Sequence, residues 1–317
     1  MNKKISLILV FVLGLSLLLT ACKNKSGKTE PEPQSENKLT ENSTSEIISS
    51  ANNSTDNNSS EESSGETTTS EPASQVEYTE TLICTLVSGV EQNYLLLADR
   101  SIDNSCIYQL GVKDIPILID GETAEVSDLK NGMTLELLYS GMILESYPAI
   151  PADVIEIRAT SPEIGEYGDL CGLYLKVLED LWNEDTGLNY QIENIGIDLS
   201  AAPGNLTSSE KAAICYLFGQ KLNLNSMLGT YQDFVDQGFI NDKELYWENG
   251  LLFSISESSS LHETETPQMQ SGGHNTLMFN ASKWASGLGA IFYDDCIATW
   301  GEDGYWLDYE IGSFAIS

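Results

Sequence analysis

No aromatic residue occurs between Lys23 and Val76, and that absence divides the chain more firmly than any other feature. Of these residues, 37 are Ser, Thr, Asn, Glu or Asp. Such a segment cannot bury enough apolar surface to offset the entropy of ordering its backbone. Residues 22–76 therefore read as a disordered tether, with a root-mean-square span of roughly 40 Å. Any core must come from residues beyond Val76. Composition changes sharply at Glu77–Tyr78, and the remaining length allows about two domains.

The other end of the tether reads as an address. Lys3 and Lys4 precede an apolar run from Ile5 to Leu19, interrupted only by Ser6, Gly14 and Ser16. A membrane-spanning helix needs about 20 apolar residues, so this run is short for that role. A basic start, a short apolar middle and a small-residue exit describe a secretory signal over residues 1–21. The exit, Leu19-Thr20-Ala21-Cys22, resembles the lipobox of bacterial lipoproteins. That resemblance implies a cut between Ala21 and Cys22 and a thioether-linked diacylglycerol on Cys22. Two acyl chains make a stable anchor where one is marginal. The expected location is the outer face of the cytoplasmic membrane, and the first expected partner is the lipid bilayer.

Acidic residues outnumber basic ones 48 to 15 in the whole chain. From Glu77 to Ser317 the counts are 38 and 9, so the acidity belongs mainly to the part that folds. Phosphate binding needs basic patches, which excludes nucleic acid as a partner. A solvated acidic surface is the ordinary meaning. An extracellular cation-binding surface, with calcium as the ion, is the sharper one.

Residues 77–160 read as all-β. Leu82, Cys84 and Leu86 alternate with Ile83, Thr85 and Val87, as in a strand covered on both sides. Tyr94–Ala98, Cys106–Val112, Thr134–Tyr139 and Val154–Ala159 are further strands. Asp120-Gly121 marks a turn, and Val126–Gly132 a short helical turn. Five short strands fit a small closed Greek-key barrel. Asp128-Leu129-Lys130-Asn131-Gly132, Leu135-Glu136-Leu137 and Gly141-Met142-Ile143-Leu144-Glu145-Ser146-Tyr147-Pro148-Ala149 resemble the YobA-like family of small Gram-positive secreted or lipidated proteins. The resemblance implies an OB-like β-barrel and transfers no catalytic residue. Tyr147 either faces a ligand at the barrel mouth or packs, with Pro148 ending strand pairing.

Residues 161–317 read as an α+β domain, since helices come first and strands later. Leu170–Glu184 carries Leu170, Leu173, Tyr174, Val177, Leu178, Leu181 and Trp182 on one helical face, with Gly187 as its expected C-cap. Ile192–Leu199 is a strand. Thr207-Ser208-Ser209-Glu210 is a capping box that opens a helix through Leu222. Thr230 opens another, closed by Gly238. Strands are expected at Leu245–Glu248, Leu251–Ser256, Thr276–Asn280, Ala290–Tyr293, Ile297–Trp300 and Tyr305–Ile311. Stretches of this region resemble clostridial proteins to which no activity is attached.

Chemistry-bearing motifs are sparse. No Gly-x-Ser-x-Gly elbow, P-loop, HExxH, CxxC or calcium-loop pattern is present. His262 and His274 lie in a Ser/Thr/Gly-rich stretch, where surface exposure is the common case. Asp294-Asp295 and Glu302-Asp303 are adjacent acids, expected by chance in so acidic a chain. Apart from Cys22 there are five cysteines, an odd number, so an exported chain cannot pair them all internally. Either Cys84 and Cys106 bond, since both lie on barrel strands, or all five are small buried hydrophobes.

Aromatics gather late. Tyr305, Leu307, Tyr309 and Ile311 alternate with Trp306, Asp308 and Glu310, and Trp300 lies close by. A face bearing Trp300 or Trp306 beside carboxylates suits a sugar ring; packing of the aromatic face on helices is the plainer meaning.

These readings converge on an α+β lipoprotein with a tether, an OB-like barrel and an α+β domain. A non-catalytic binding or interaction module fits it better than an enzyme. The expected partner is a wall glycan, a peptide or a surface protein. The alternatives are a carboxylate-dependent envelope hydrolase and a calcium-stabilised scaffold. No catalytic residue, metal ligand or cofactor is implied.

Overall fold

The computed structural model describes residues 80–91, 94–101, 105–161, 168–258, 276–301 and 305–317. The residues read as a signal and a tether, Cys22 among them, lie outside these, as do His262 and His274.

The first sheet is built from β1 (Glu80–Ser88), β2 (Tyr94–Asp99), β3 (Ile107–Gly111), β4 (Ile117–Ile119), β5 (Glu122–Ala124), β6 (Thr134–Tyr139) and β9 (Glu156–Thr160). Their order across the sheet is β3-β2-β1-β6-β9-β4-β5. All pairs are antiparallel except β4 with β9, which run parallel. The hairpin β4–β5 turns at Asp120-Gly121, where both residues have positive φ, as the sequence signal requires. β7 (Ile143–Leu144) and β8 (Ile150–Pro151) form a separate two-stranded ribbon. Sequence periodicity does not reveal these very short strands.

One core of this sheet gathers Leu82, Cys84, Leu86, Leu95, Leu97, Leu135, Leu137 and Ile157. The alternate side chains Val87, Leu96, Ala98 and Ile107 belong to a different core, shared with the helices and the second sheet. β1 is thus covered on both sides over its later half, while Ile83 is 45% exposed.

Cys84 is a free, buried thiol and does not pair with Cys106. The register explains this. Cys84 stands opposite Asp99, and the Asp99 N–H donates to the Cys106 carbonyl. β2 therefore stands between the two cysteines. Two strand spacings come to about 9.5 Å, beyond the reach of a disulfide.

The second half contains α1 (Leu170–Asn183), β10 (Asn194–Asp198), α2 (Ser208–Leu222), β11 (Asn225–Leu228), α3 (Tyr231–Asp236), β12 (Gly250–Glu257), β13 (Thr276–Ser286), β14 (Gly289–Trp300), β15 (Trp306–Glu310) and β16 (Ser313–Ile316). The sheet order is β11-β10-β12-β13-β14-β15, with β16 also on β14. The described chain is therefore mixed α+β and rich in strands.

α2 is the hinge of the packing. Its Phe218 ring meets Phe253 of β12 edge-on at 5.1 Å. It also packs on β1, β2 and β3. A helix buried between two sheets needs apolar or small residues around much of its girth, and Ala212, Ala213, Ile214, Cys215, Phe218 and Gly219 supply them. Consequently Val87, Leu96, Ala98 and Ile107 of the first sheet join the core of the helices and the second sheet, while the first sheet keeps a core of its own on its other side.

Several strand readings change for local reasons. Leu245–Glu248 is not a strand. Trp247 is instead buried beside Phe234 and Ile240, against the face of the second sheet opposite α1 and α2. Gly250 makes room for it, since a Cβ there would stand 2.1 Å from the indole. The two strands expected over 290–300 are one, β14, with a bulge at Asp294–Asp295 opposite Asn280. Asp295 adopts φ 53°, and its N–H donates to the Asn280 side chain at 2.8 Å. This acidic pair shapes a strand.

α1 ends at Asn183 and Gly187 does not cap it; Gly187 lies within a following 3₁₀ turn, Thr186–Asn189. Carbonyls at and just beyond the helix end are met by Lys283 of β13. Its side chain is fully buried, and its ammonium donates to the carbonyls of Trp182, Glu184 and Asp185 and to the Asn189 side chain. A cation at a helix C-terminus also meets the negative end of the helix dipole.

Candidate functional site

The seam between the first sheet and the N-termini of α1 and α2 gathers the polar groups of interest. α2 begins as the sequence predicts. The Thr207 hydroxyl accepts from the Glu210 N–H at 3.1 Å, and Glu210 accepts from the Thr207 N–H at 2.7 Å. The other Glu210 oxygen accepts from the hydroxyl of Thr85, a buried residue of β1, at 2.7 Å. That hydroxyl in turn accepts from the Arg100 guanidinium at 3.2 Å. One threonine oxygen thus separates a cation from a carboxylate.

α1 begins at Asp169, in the left-handed region with φ 41°. Its carboxylate accepts from the Gly172 N–H at 2.9 Å and from the Asn131 side chain. Asn131 belongs to the first sheet's β5–β6 connection, so this bond crosses the seam. Burial pushes the Asp169 carboxyl up to about 7, against the two hydrogen bonds, which hold it down. Next to Asn131, Gly132 has φ 87°, and a Cβ there would stand 2.0 Å from the Asp169 nitrogen. Only glycine lets the two backbones meet so closely.

Two clefts flank Asp169. One, of about 320 Å³, is lined by Thr85, Arg100, Thr134, Asp169, Thr207 and Glu210 among others. The second, of about 530 Å³, includes Glu91, Lys130, Asn131, Asp169 and Tyr305. There the Lys130 ammonium sits 5.0 Å above the Tyr305 ring, a cation–π contact. Although the chain is so acidic, neither Arg100 nor Lys130 forms an ion pair among the described residues.

The residues singled out from the sequence lie elsewhere. Trp300 is 3% exposed and meets Trp306 edge-on at 5.3 Å. The expected alternation over 305–311 slips at a register shift, where Thr299 pairs with Asp308 but Trp300 pairs with Trp306. That shift turns Trp306 to the core face with Tyr309, away from the acids. Neither tryptophan presents an open ring face to a sugar. Tyr147 is 67% exposed, and its ring meets Tyr216 of α2 edge-on at 5.7 Å. It lies outside both clefts. Among the described residues, no group of three or more His, Cys, Asp or Glu is gathered to hold a metal ion.

Sequence reasoning identifies the Thr207–Glu210 capping box but not its tie to Thr85. It misses Asp169 and Arg100. A signal does exist for Asp169, because Asp169-Leu170 stands where the apolar helical face begins, a place that favours an N-cap. Compared with family models, with curated proteins and with solved structures, the chain matches none.

Proposed function

We propose that the chain is a lipid-anchored envelope protein whose folded part is a non-catalytic binding module working through the seam cleft. The observation that carries this reading is the convergence of Thr85, Arg100, Asp169 and Glu210, from separate elements, on one cleft. Pockets with a few convergent polar groups are the usual form of a ligand site. Both carboxylates are tied into helix caps, which suits recognition better than hydrolysis.

The finer fold reading is an OB-like barrel for residues 77–160. The parallel β4–β9 pair supports it. β3 and β4 stand at or near the two ends of the sheet and are joined by residues 112–116 alone. Taken as one bent strand, they would close the sheet on itself in the Greek-key manner. This is analogy at the level of fold and names no ligand.

Two experiments test the proposal. The anchor reading rests on Lys3, Lys4, the apolar run and Cys22. In a Gram-positive host the chain is expected in the membrane fraction and its Cys22→Ala variant in the soluble or medium fraction. Equal membrane recovery of both would remove the anchor. For the binding module, a chain lacking residues 1–21 and carrying Cys22→Ser is expected to co-sediment with isolated cell-wall sacculi, and Arg100→Gln to reduce the pelleted share. Protein left wholly in the supernatant, with and without calcium, would remove the wall as partner.

A further inference from the structure

Resting on that reading of the cleft, we propose that its ligand is an α-zwitterion: an amino group and a carboxylate borne on the same carbon, as in an amino acid. Three observations select this class. The first is a cation with donors to spare. Arg100 has five N–H donors and, among the described residues, gives one side-chain hydrogen bond, to Thr85. It is exposed and makes no ion pair among those residues. A planar guanidinium with free donors matches a carboxylate two bonds at a time.

The second is a half-buried carboxylate beside it. Glu210 accepts one bond on each oxygen, from Thr85 and from the Thr207 N–H. A carboxylate offers about four lone-pair sites, so acceptor capacity remains for an ammonium. Asp169 lines the same cleft as a further acceptor.

The third is spacing. The single Thr85 hydroxyl lies 3.2 Å from the guanidinium and 2.7 Å from the carboxylate. Opposite charges so close are both met by a ligand whose own charges sit two bonds apart on one carbon. A simple anion would face Glu210, and a simple cation would face Arg100. A cleft of about 320 Å³ holds an amino acid or the end of a short peptide. Ligand carboxylate on the free donors of Arg100, with ammonium on Glu210, buries no unpaired charge and leaves the Thr85 hydroxyl on its two present partners.

The test is calorimetric titration of the chain lacking residues 1–21, with Cys22→Ser. The titrants are the protein amino acids and D-alanine, each compared with its N-acetyl and carboxamide derivatives. At least one zwitterion is expected to bind, and both derivatives to bind about tenfold or more weakly. Arg100→Gln is expected to erase discrimination against the carboxamide. Glu210→Gln, which keeps a capping-box side chain at that position, is expected to erase discrimination against the N-acetyl form. An N-acetyl form that binds as well as its parent overturns the proposal, and so does a folded chain that binds no amino acid. Because derivatives are compared on the unsubstituted cleft, the result stands even if a variant fails to fold. Sedimentation with sacculi but no amino-acid binding would sink the zwitterion and keep the module. The reverse result would keep the zwitterion and point to a soluble ligand.

Discussion

Replacing Lys283 with methionine is expected to lower the free energy of unfolding by about 1–3 kcal/mol, the cost typical of leaving hydrogen-bond acceptors without their donor. Methionine matches the length of the aliphatic stem, so the loss would not come from a cavity. It would come from the carbonyls of Glu184 and Asp185, which lose the Lys283 donor, and of Trp182, which keeps only the bond from the Asn189 side chain. Burial pulls the Lys283 ammonium down to about 8, so at pH 7 the charged form prevails and can donate three bonds. The local consequence is a frayed end to α1 and a loosened turn over Thr186–Asn189. Urea denaturation at pH 7 measures the effect. A change below about 1 kcal/mol would mean that water reaches those carbonyls and that the clamp is dispensable.

The second large effect concerns Asp169 and appears only as a function of pH. Its folded carboxyl is raised by burial to about 7, from an ordinary aspartate value of 3.8. For a raised carboxyl the native state holds a proton that the unfolded chain has already released. Stability contributed at this site is therefore present at low pH and declines as pH rises from near 4 to near 7. An Asp169→Asn variant would keep the oxygen that caps Gly172, tolerate the left-handed backbone and carry no proton to lose. The two proteins are expected to be about equally stable near pH 4. By pH 8 the variant should be more stable by about 2–4 kcal/mol, from roughly three pKa units at about 1.4 kcal/mol each, reduced for solvent screening. Lys130 and Arg100 on the flanking clefts ease the charged form, whereas Glu91 and Glu210 oppose it. Urea titrations at several pH values between 4 and 8 test this. Parallel stability curves would show that the carboxyl titrates alike in both states.

How much of the molecule is legible in the sequence differs by element for physical reasons. β6 and α1 are readable because each buries one regular face, with period 2 in Thr134–Tyr139 and with Leu170, Leu173, Tyr174, Val177, Leu178 and Leu181 along the helix. The α2 start is readable because a capping box is local. β14 reads as two strands because Asp294-Asp295 looks like a break, yet a bulge absorbs it. Trp306 falls on the wrong face for a related reason: one slipped residue reverses everything beyond it. Lys283 cannot be read at all. Its partners sit 94 or more positions earlier in the chain, and a lysine in a strand looks like solvent-facing charge. The same holds for the seam. Thr85 and Glu210 are 125 positions apart, and nothing in either segment announces the other.

The burial of α2 between two sheets has a consequence for the order of events as the chain emerges. Chains emerge from the N-terminus, and elements can fold only against what already exists. β1, β2 and β3 carry Val87, Leu96, Ala98 and Ile107 on the side that α2 covers. Those side chains stay bare until Ser208–Leu222 has emerged. A first sheet that has emerged alone is therefore an adhesive intermediate, with an unfinished apolar surface and a waiting period set by how fast the rest of the chain follows. Conditions that lengthen that wait, such as a pause in export before residue 208 has crossed, should favour aggregation and chaperone capture over completion.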